Sequence, residues 1–175
     1  MSKSQTFPKL RVVKIADSFL LSGQLLIKES VNDATLSYPA MVNLALSAEL
    51  YLKSYIVEEG LIDVGSESGN TKRRDGFLSS SVSSHSLKKL YEKINETIKN
   101  DIDSVFSNNE LSSEYSSLEE ALERFSNAFI NARYPYEKNS PVVFSTTRLE
   151  KIALFLKSTI DSLGEYRISD EVVTK

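Results

Sequence analysis

Residues 39–60 have the sequence PAMVNLALSAELYLKSYIVEEG, and this stretch decides the fold of the chain. Pro39 suits the first turn of a helix, and Gly60 suits the end of one. Between them, apolar side chains point in nearly every direction around the helix axis, so other segments must cover most of this helix. We therefore predict that residues 39–59 form the central helix of a bundle.

Four further stretches have apolar residues at three- and four-residue steps, which is the spacing of a helix with one buried face. Ser117 and Glu120 have the spacing of a capping box, and Thr147 and Glu150 repeat it. Pro135 ends the fourth pattern, because the residue before a proline is pushed out of helical geometry. In addition to 39–59, the predicted helices cover residues 9–29, 84–106, 117–134 and 147–164.

These five helices predict an all-α, up-and-down bundle that forms a single domain over residues 1–175. Ser84 is the expected cap of the third helix. The alternative to a wholly helical chain is a short extended piece at 142–144, which would not change the fold class. Residues 165–175 are expected to be a frayed tail.

Residues 60–84 are expected to form a long mobile loop between the second and third helices. This stretch has four glycines, a serine-rich end and no sustained periodicity. Loops longer than about 12–15 residues are uncommon in compact domains, so we expect either a binding lid or a dispensable insertion. The loop also contains the basic run Lys72-Arg73-Arg74, which favours a solvated charge cluster over a contact with a phosphate backbone.

The composition excludes several kinds of site. The chain has 175 residues, no cysteine and a single histidine, His85. Disulfides, thiolate zinc sites, thiol nucleophiles and sites with two imidazoles are therefore excluded, and we expect neither a metal nor a cofactor. The net charge of −3 argues against a protein that coats nucleic acid through its overall field, although a local basic patch can still bind phosphate.

The N-terminal region does not have the pattern of a signal peptide. Asp17 and Gln24 interrupt its most apolar stretch, and a small-residue cleavage site is absent. No run in the sequence approaches the roughly 20 apolar residues of a membrane span. We expect a cytoplasmic protein that does not contact a membrane.

Glu49 and Lys53 are charged residues on the most apolar predicted helix. They stand four residues apart, as an ion pair along one helix face would. A buried carboxylate needs a compensating cation, because unpaired burial costs several kcal/mol. Arg133, near the end of the fourth helix, is the expected partner, since its planar guanidinium can hold a carboxylate with two hydrogen bonds. The same fork can hold a phosphate, so the sequence leaves open a structural clamp and an anion site.

His85 is expected in the first turn of the third helix. There it can act as a general base or contact a phosphate, because helix N-termini attract anions and histidine titrates near neutral pH. The alternative, which a single histidine without a recognisable partner favours, is a capping-region residue packed against the bundle. The sequence contains no Gly-x-Ser-x-Gly elbow, glycine-rich phosphate loop or metal-ligand pattern.

Three segments taken together resemble the HEPN superfamily. They are NLALSAELYLK at 43–53, HSLKKLY at 85–91 and RYPYE at 133–137, and they extend over the second to fourth predicted helices. The resemblance implies a bundle of four or five helices and frequent dimerisation. It also implies RNA cleavage, nucleotide binding, or a role in toxin–antitoxin and phage-defence systems, often beside a nucleotidyltransferase partner.

The chain departs from the catalytic pattern of that superfamily. Its ribonucleases resemble one another in an arginine followed, after four to six intervening residues, by a histidine at a dimer cleft. Neither Arg133 nor Arg124 is followed by such a histidine. The corresponding positions hold Lys138, Asn139 and Ser140 after Arg133, and Phe129, Ile130 and Asn131 after Arg124. His85 can replace the missing histidine only if folding brings it beside Arg133.

The sequence therefore leaves three functions open. The first is a HEPN-like module, non-catalytic or divergent, that binds a nucleotide, RNA or a protein partner. The second is a metal-independent ribonuclease in which His85 moves a proton and Arg133 stabilises the phosphorane. The third is a purely structural helical interaction protein. We expect a homodimer, and the expected ligand-binding residues are Glu49, Lys53, His85, Arg133, Tyr134 and Glu137.

Overall fold

The computed structural model describes residues 8–64, 73–80, 83–134 and 145–162, and this part of the chain is mostly helical. The helical class predicted from the sequence is thereby confirmed. The α-helices are α1 (Leu10–Glu29), α2 (Ser37–Ser54), α3 (Leu87–Tyr91), α4 (Glu96–Ser107), α5 (Leu118–Arg124), α6 (Ala128–Arg133) and α7 (Thr146–Ser162). Short 3-10 turns lie at Ala34–Leu36 and Glu110–Ser113, and two strands, β1 (Val57–Val64) and β2 (Arg73–Ser80), follow α2.

Helix α2 lies at the centre of the core, as its apolar sequence predicts. It packs against α1, α3, α6 and α7, and its buried positions include residues on several sides of the helix. Leu44, Ala48, Tyr51 and Leu52 are all inaccessible to solvent. The helix ends at Ser54 rather than at residue 59, because the chain enters β1 before it reaches Gly60.

Gly23 allows α1 and α2 to pack closely. A Cβ atom at this position would lie 2.8 Å from Cγ and Cδ2 of Leu44 and 3.3 Å from its backbone nitrogen. Real Cβ atoms do not approach other carbons this closely, so glycine is needed where the two helices meet.

Two of the predicted helices are divided in two. The third becomes α3 and α4, because Asn95 caps α4 by accepting a hydrogen bond from the backbone nitrogen of Thr97. The fourth becomes α5 and α6, separated by a turn at 125–127. Ser86, not Ser84, caps α3, and Ser117 caps α5 as expected. The sequence pattern missed these breaks because the apolar spacing continues across them.

The expectation of a loop without strands over 60–84 is wrong. Strands β1 and β2 pair antiparallel, from Val57 opposite Ser80 to Val64 opposite Arg73. This pairing joins segments that lie apart in the sequence, so no helical periodicity marks it. Residues 65–72 and 81–82, the piece at 142–144 and the tail at 165–175 lie outside the described residues.

None of the helices in the described ranges is both long and apolar enough to cross a membrane.

Candidate functional site

Glu49 is a buried carboxylate on α2, with an exposed fraction of 2%. The ammonium group of Lys53, one turn further along the same helix, lies 2.7 Å from its Oε1 atom. The Nδ1 atom of His85 lies 3.0 Å from Oε2 and 3.2 Å from Oε1. Glu49 is therefore buried and paired, as a carboxylate on an apolar helix requires.

The expectation that Arg133 pairs with Glu49 is wrong. Arg133 lies at the exposed end of α6, and its guanidinium carbon is 5.8 Å from the ring centroid of Phe129 and 5.3 Å from that of Tyr134. Lys53 and His85 occupy the hydrogen-bonding positions of the carboxylate instead. Lys53 is placed to reach the carboxylate because residues four apart on a helix are neighbours.

His85 lies in the extended segment before α3, two residues ahead of the helix, and not in its first turn. Its Nδ1 atom faces Glu49, and a carboxylate, which only accepts hydrogen bonds, favours the form of the ring that has a proton on Nδ1. The side chain is 52% exposed, and among the described residues no group bonds to Nε2 at the other edge of the ring. A carboxylate thus holds one edge of the imidazole and leaves the other edge for a ligand.

Phe129 on α6 joins the two halves of this site, and it was not among the site residues expected from the sequence. The His85 ring stacks on it, with centroids 5.1 Å apart and planes inclined by 24°. Arg133 lies one turn further along α6 and packs over the same ring. The spacing of four residues between Phe129 and Arg133 was the available signal, because such residues share a helix face.

The fold thus brings together most of the predicted site. Glu49 and Lys53 come from α2, His85 from the segment before α3, and Arg133 from the end of α6. Tyr134 is the C-cap of α6 and contacts Arg133. Glu137, the remaining expected site residue, lies outside the described residues, and so does Lys72, the first member of the basic run at 72–74. Arg73 and Arg74 begin β2.

The charges of the site can attract an anion. Lys53 neutralises Glu49, which leaves Arg133 as an exposed cation beside the half-exposed ring of His85. A guanidinium that packs over aromatic rings can keep its outer N–H groups available for phosphate oxygens. Among the described residues, no group of three or more histidine, aspartate or glutamate side chains could hold a metal ion.

Two buried tyrosines elsewhere in the core make short hydrogen bonds to carboxylates. The hydroxyl of Tyr51 donates to Asp17 at 2.6 Å, and that of Tyr91 donates to Asp103 at 2.6 Å. Burial raises the pKa of both tyrosines well above its usual range, and the neighbouring carboxylate raises it further. These tyrosines stay neutral and connect helices, so they are structural.

Comparison of the chain with protein-family models, with curated proteins and with solved structures gave no match.

Proposed function

We propose that this chain is a HEPN-like helical module that binds a phosphate-containing ligand, a nucleotide or RNA. The binding surface comprises Lys53, His85, Phe129, Arg133 and Tyr134, and we call it the His85 surface. One observation carries the proposal: His85, fixed by the buried Glu49, and the exposed Arg133 pack against the same ring, that of Phe129. The resemblance to the HEPN superfamily supports the same class of ligand.

Charge supports a phosphate as the recognised group. The whole chain has a net charge of −3, so an anion is not attracted by the overall field. The His85 surface differs from the chain as a whole. Among the described residues, the one carboxylate in contact with it is that of Glu49, which is buried and already neutralised by Lys53. The guanidinium of Arg133 can donate two parallel hydrogen bonds to a phosphate.

The flat groups of the surface support a ligand that also carries a base. His85 presents its exposed half above Phe129, and Arg133 lies over Tyr134. Bases stack on imidazole, phenol and guanidinium planes, at about 1–3 kcal/mol per stacked base. A nucleotide offers both a base and a phosphate within the span of such a surface.

The test is a binding titration with fluorescently labelled single-stranded RNA, with ATP as a second ligand. We expect Arg133→Ala to weaken RNA binding about tenfold and to lower the salt dependence of binding by about one phosphate contact. Arg124→Ala is the matched control, because Arg124 is also an exposed arginine at the end of a helix. Absence of binding by the wild type, or equal losses in both variants, would contradict the proposal.

A second candidate, metal-independent RNA cleavage, is favoured by the contact between Glu49 and His85. With Nδ1 held by the carboxylate, Nε2 can take the proton of a ribose 2′-hydroxyl as its oxygen attacks the adjacent phosphorus. The bond from phosphorus to the 5′ oxygen then breaks, and that oxygen takes up a proton. Arg133 would stabilise the charge that develops on the phosphorane.

This candidate is separated from binding alone by incubating RNA with the wild type and with His85→Ala in the presence of EDTA. Cleavage by the wild type that is lost in the variant, and that fails on an oligonucleotide lacking the 2′-hydroxyl, would establish it. Binding without cleavage would leave the first proposal intact and eliminate the second.

A further inference from the structure

His85 is the one histidine in the chain, and neighbours hold two sides of its ring. Glu49 lies 3.0 Å from Nδ1, and the ring of Phe129 covers one face. The side chain nevertheless stays 52% exposed, and within the described ranges no group bonds to Nε2. Nε2 is therefore the ring nitrogen that remains open to a reagent from solvent.

The contact with Glu49 also favours one position for the lone pair of the ring. A carboxylate accepts hydrogen bonds, so it favours a proton on Nδ1 and leaves the lone pair of the neutral ring on Nε2. When Nε2 forms a bond to an electrophile, positive charge develops on the ring, and a carboxylate at Nδ1 stabilises that charge. The geometry thus suits His85 to act as a nucleophile, which is one of the roles of histidine in covalent reactions.

Burial makes Glu49 a well-oriented partner for the ring. The residue is 2% exposed, so water scarcely competes for its oxygens, and a nonpolar environment strengthens the hydrogen bond to Nδ1. Lys53 bonds to Oε1, whereas Nδ1 lies closer to Oε2 than to Oε1. The ammonium group therefore compensates the buried charge without taking the place of His85.

The charge around His85 favours an anionic reagent. Lys53 offsets the charge of Glu49, and Arg133 adds an exposed cation over the ring of Phe129 on which His85 stacks. An anion that approaches Nε2 therefore meets a local positive charge, although the chain as a whole has a net charge of −3. A phosphoryl donor is an anion of this kind, and its phosphorus atom is an electrophile.

We propose that Nε2 of His85 accepts a phosphoryl group from an acyl phosphate. The lone pair of Nε2 forms the bond to phosphorus, the bond from phosphorus to the acyl oxygen breaks, and its electron pair leaves with the carboxylate. The proton on Nδ1 stays in the hydrogen bond to Glu49. The products are a phosphohistidine and a free carboxylate, and neither an oxidant nor a reductant takes part.

The surroundings of the ring select this class of donor. A carboxylate is a stable anion near neutral pH, so an acyl phosphate needs no proton donor at its leaving oxygen. Among the described residues, the hydrogen-bonding and stacking partners of the ring are Glu49 and Phe129, and neither supplies a proton. An alcohol leaving group, as in a phosphate ester, would need one. This covalent step uses the geometry of the His85 surface but does not depend on RNA binding there.

The first experiment incubates the protein with acetyl phosphate and follows the intact mass. We expect the wild type to gain one phosphoryl group that is lost in acid, because the bond between phosphorus and an imidazole nitrogen hydrolyses in acid. His85→Asn should gain none, although its amide can still donate a hydrogen bond to Glu49. Acetyl groups transferred to lysines differ in mass and resist acid. A wild type without the phosphoryl group, or equal modification of His85→Asn, would overturn the proposal.

A relocated histidine tests whether the surroundings of His85 matter. Ser22 is exposed on α1, and no carboxylate lies three or four residues from it, so Ser22→His in the His85→Asn background presents an imidazole without such a partner on its helix. We expect the wild type to react at least about tenfold faster, since loss of a group that orients a functional histidine costs about that much. Equal rates would mean that any exposed histidine reacts, and the assignment to this site would fail.

Glu49→Gln tests the carboxylate as the positioning residue. The neutral amide stabilises positive charge on the ring less well, so phosphorylation should slow about tenfold. Glu150→Gln is the matched control, because Glu150 is another partly buried carboxylate and accepts a hydrogen bond from Gln24 at 2.9 Å. Circular dichroism checks that both variants remain folded. If both slow the reaction equally, or neither does, Glu49 does not activate His85 and the proposal is wrong.

The modified nitrogen provides a direct test of the geometry. Since the chain has a single histidine, isotope-labelled histidine gives NMR signals from one imidazole, and coupling to phosphorus identifies the modified nitrogen. We expect Nε2, because modification of Nδ1 would require the ring to leave Glu49. A phosphoryl group on Nδ1 would overturn the proposed geometry. These readouts are masses, rates and spectra of the protein without RNA, so a failure of RNA binding would leave them unaffected.

Discussion

The Nδ1 atom of His85 lies 3.0 Å from Oε2 of Glu49, across 36 residues of sequence. The two side chains differ sharply in exposure, because Glu49 is buried and His85 is half exposed. A buried carboxylate therefore fixes the orientation of a surface imidazole. This relationship connects the stability of the core with the properties of the candidate site, since a change at Glu49 affects both.

Because Glu49 is paired with Lys53, we expect removal of the lysine and removal of the glutamate to lower the free energy of unfolding by different amounts. Lys53→Met leaves a buried carboxylate with His85 as its remaining described partner, and we expect a loss of about 2–3 kcal/mol in the free energy of unfolding. Glu49→Leu should cost less, because the remaining ammonium group of Lys53 can turn towards water. Urea unfolding monitored by circular dichroism measures both changes.

Lys89→Met on α3 is the control for the lysine substitution, because Lys89 is exposed. We expect it to change stability by less than about 0.5 kcal/mol, as surface substitutions usually do. Equal losses in Lys53→Met and Lys89→Met would show that the ion pair with Glu49 contributes little to folding.

The same geometry predicts that Phe129 supports ligand binding without touching the phosphate. Phe129→Leu removes the flat surface on which His85 and Arg133 rest, so both groups become less ordered. We expect RNA affinity to fall about three- to tenfold, with the salt dependence unchanged because no cation is lost. A titration at several salt concentrations separates this result from that of Arg133→Ala.

Ile130→Leu on α6 is the matched control for this effect, since Ile130 is exposed and neighbours Phe129 in sequence. Truncation of a buried residue such as Leu122 would not serve, because it would cost core stability. If Ile130→Leu weakens binding as much as Phe129→Leu, the ring contacts of Phe129 are not the cause.

Local sequence patterns predicted the helices well where a single helix face decides the structure. The central position of α2 followed from its apolar composition, and the cap at Ser117 followed from its spacing to Glu120. The breaks after α3 and α5 could not be found in this way. There the apolar spacing runs on, and a local hydrogen bond, such as that accepted by Asn95, decides against a continuous helix.

Most residues of the candidate site could be predicted from the sequence, but the contacts between them could not. Burial of Glu49 followed from the apolar character of its neighbours, whereas the choice of His85 over Arg133 depends on how α3 and α6 pack against α2. Sequence spacing contains no information about that packing. The hairpin of β1 and β2 was missed for a related reason, because its pairing is between separate segments.

Replacement of Gly23 by alanine should affect stability, because Gly23 lies at the close contact between α1 and α2. An added methyl group would meet Cγ of Leu44 at 2.8 Å, and Leu44 is fully buried and cannot move aside freely. Alanine favours a helix by up to about 1 kcal/mol over glycine, but overpacking of a core costs about 1–3 kcal/mol. We therefore expect Gly23→Ala to lower the melting temperature. Ser22→Ala, at an exposed position on the same helix, is the control and should leave the melting temperature nearly unchanged.

The raised pKa of Tyr51 predicts how the free energy of unfolding changes at alkaline pH. Burial and the hydrogen bond to Asp17 raise its pKa in the folded state above the ordinary value of 10.0. The unfolded chain therefore releases this proton at a lower pH than the folded chain. The stabilisation is fully present below pH 10 and is lost as the pH rises, at up to about 1.4 kcal/mol per pH unit.

Tyr51→Phe removes this titration together with the hydrogen bond. At neutral pH we expect the variant to be about 1 kcal/mol less stable than the wild type, since Asp17 keeps its contact with Lys157 at 2.8 Å. Above pH 10 the difference should shrink, because the wild type loses the stabilisation and the variant has none to lose. Tyr91 titrates in the same direction, so the variant should retain part of the alkaline loss.

Urea unfolding at several pH values between neutral and strongly alkaline measures this difference, with Tyr38→Phe as the control because Tyr38 is an exposed tyrosine. The control should follow the wild type across the whole range. If Tyr51→Phe also runs parallel to the wild type above pH 10, the hydroxyl of Tyr51 titrates alike in both states. The hydrogen bond to Asp17 would then not be a stable link between α1 and α2, because a maintained bond to a carboxylate must favour the protonated hydroxyl.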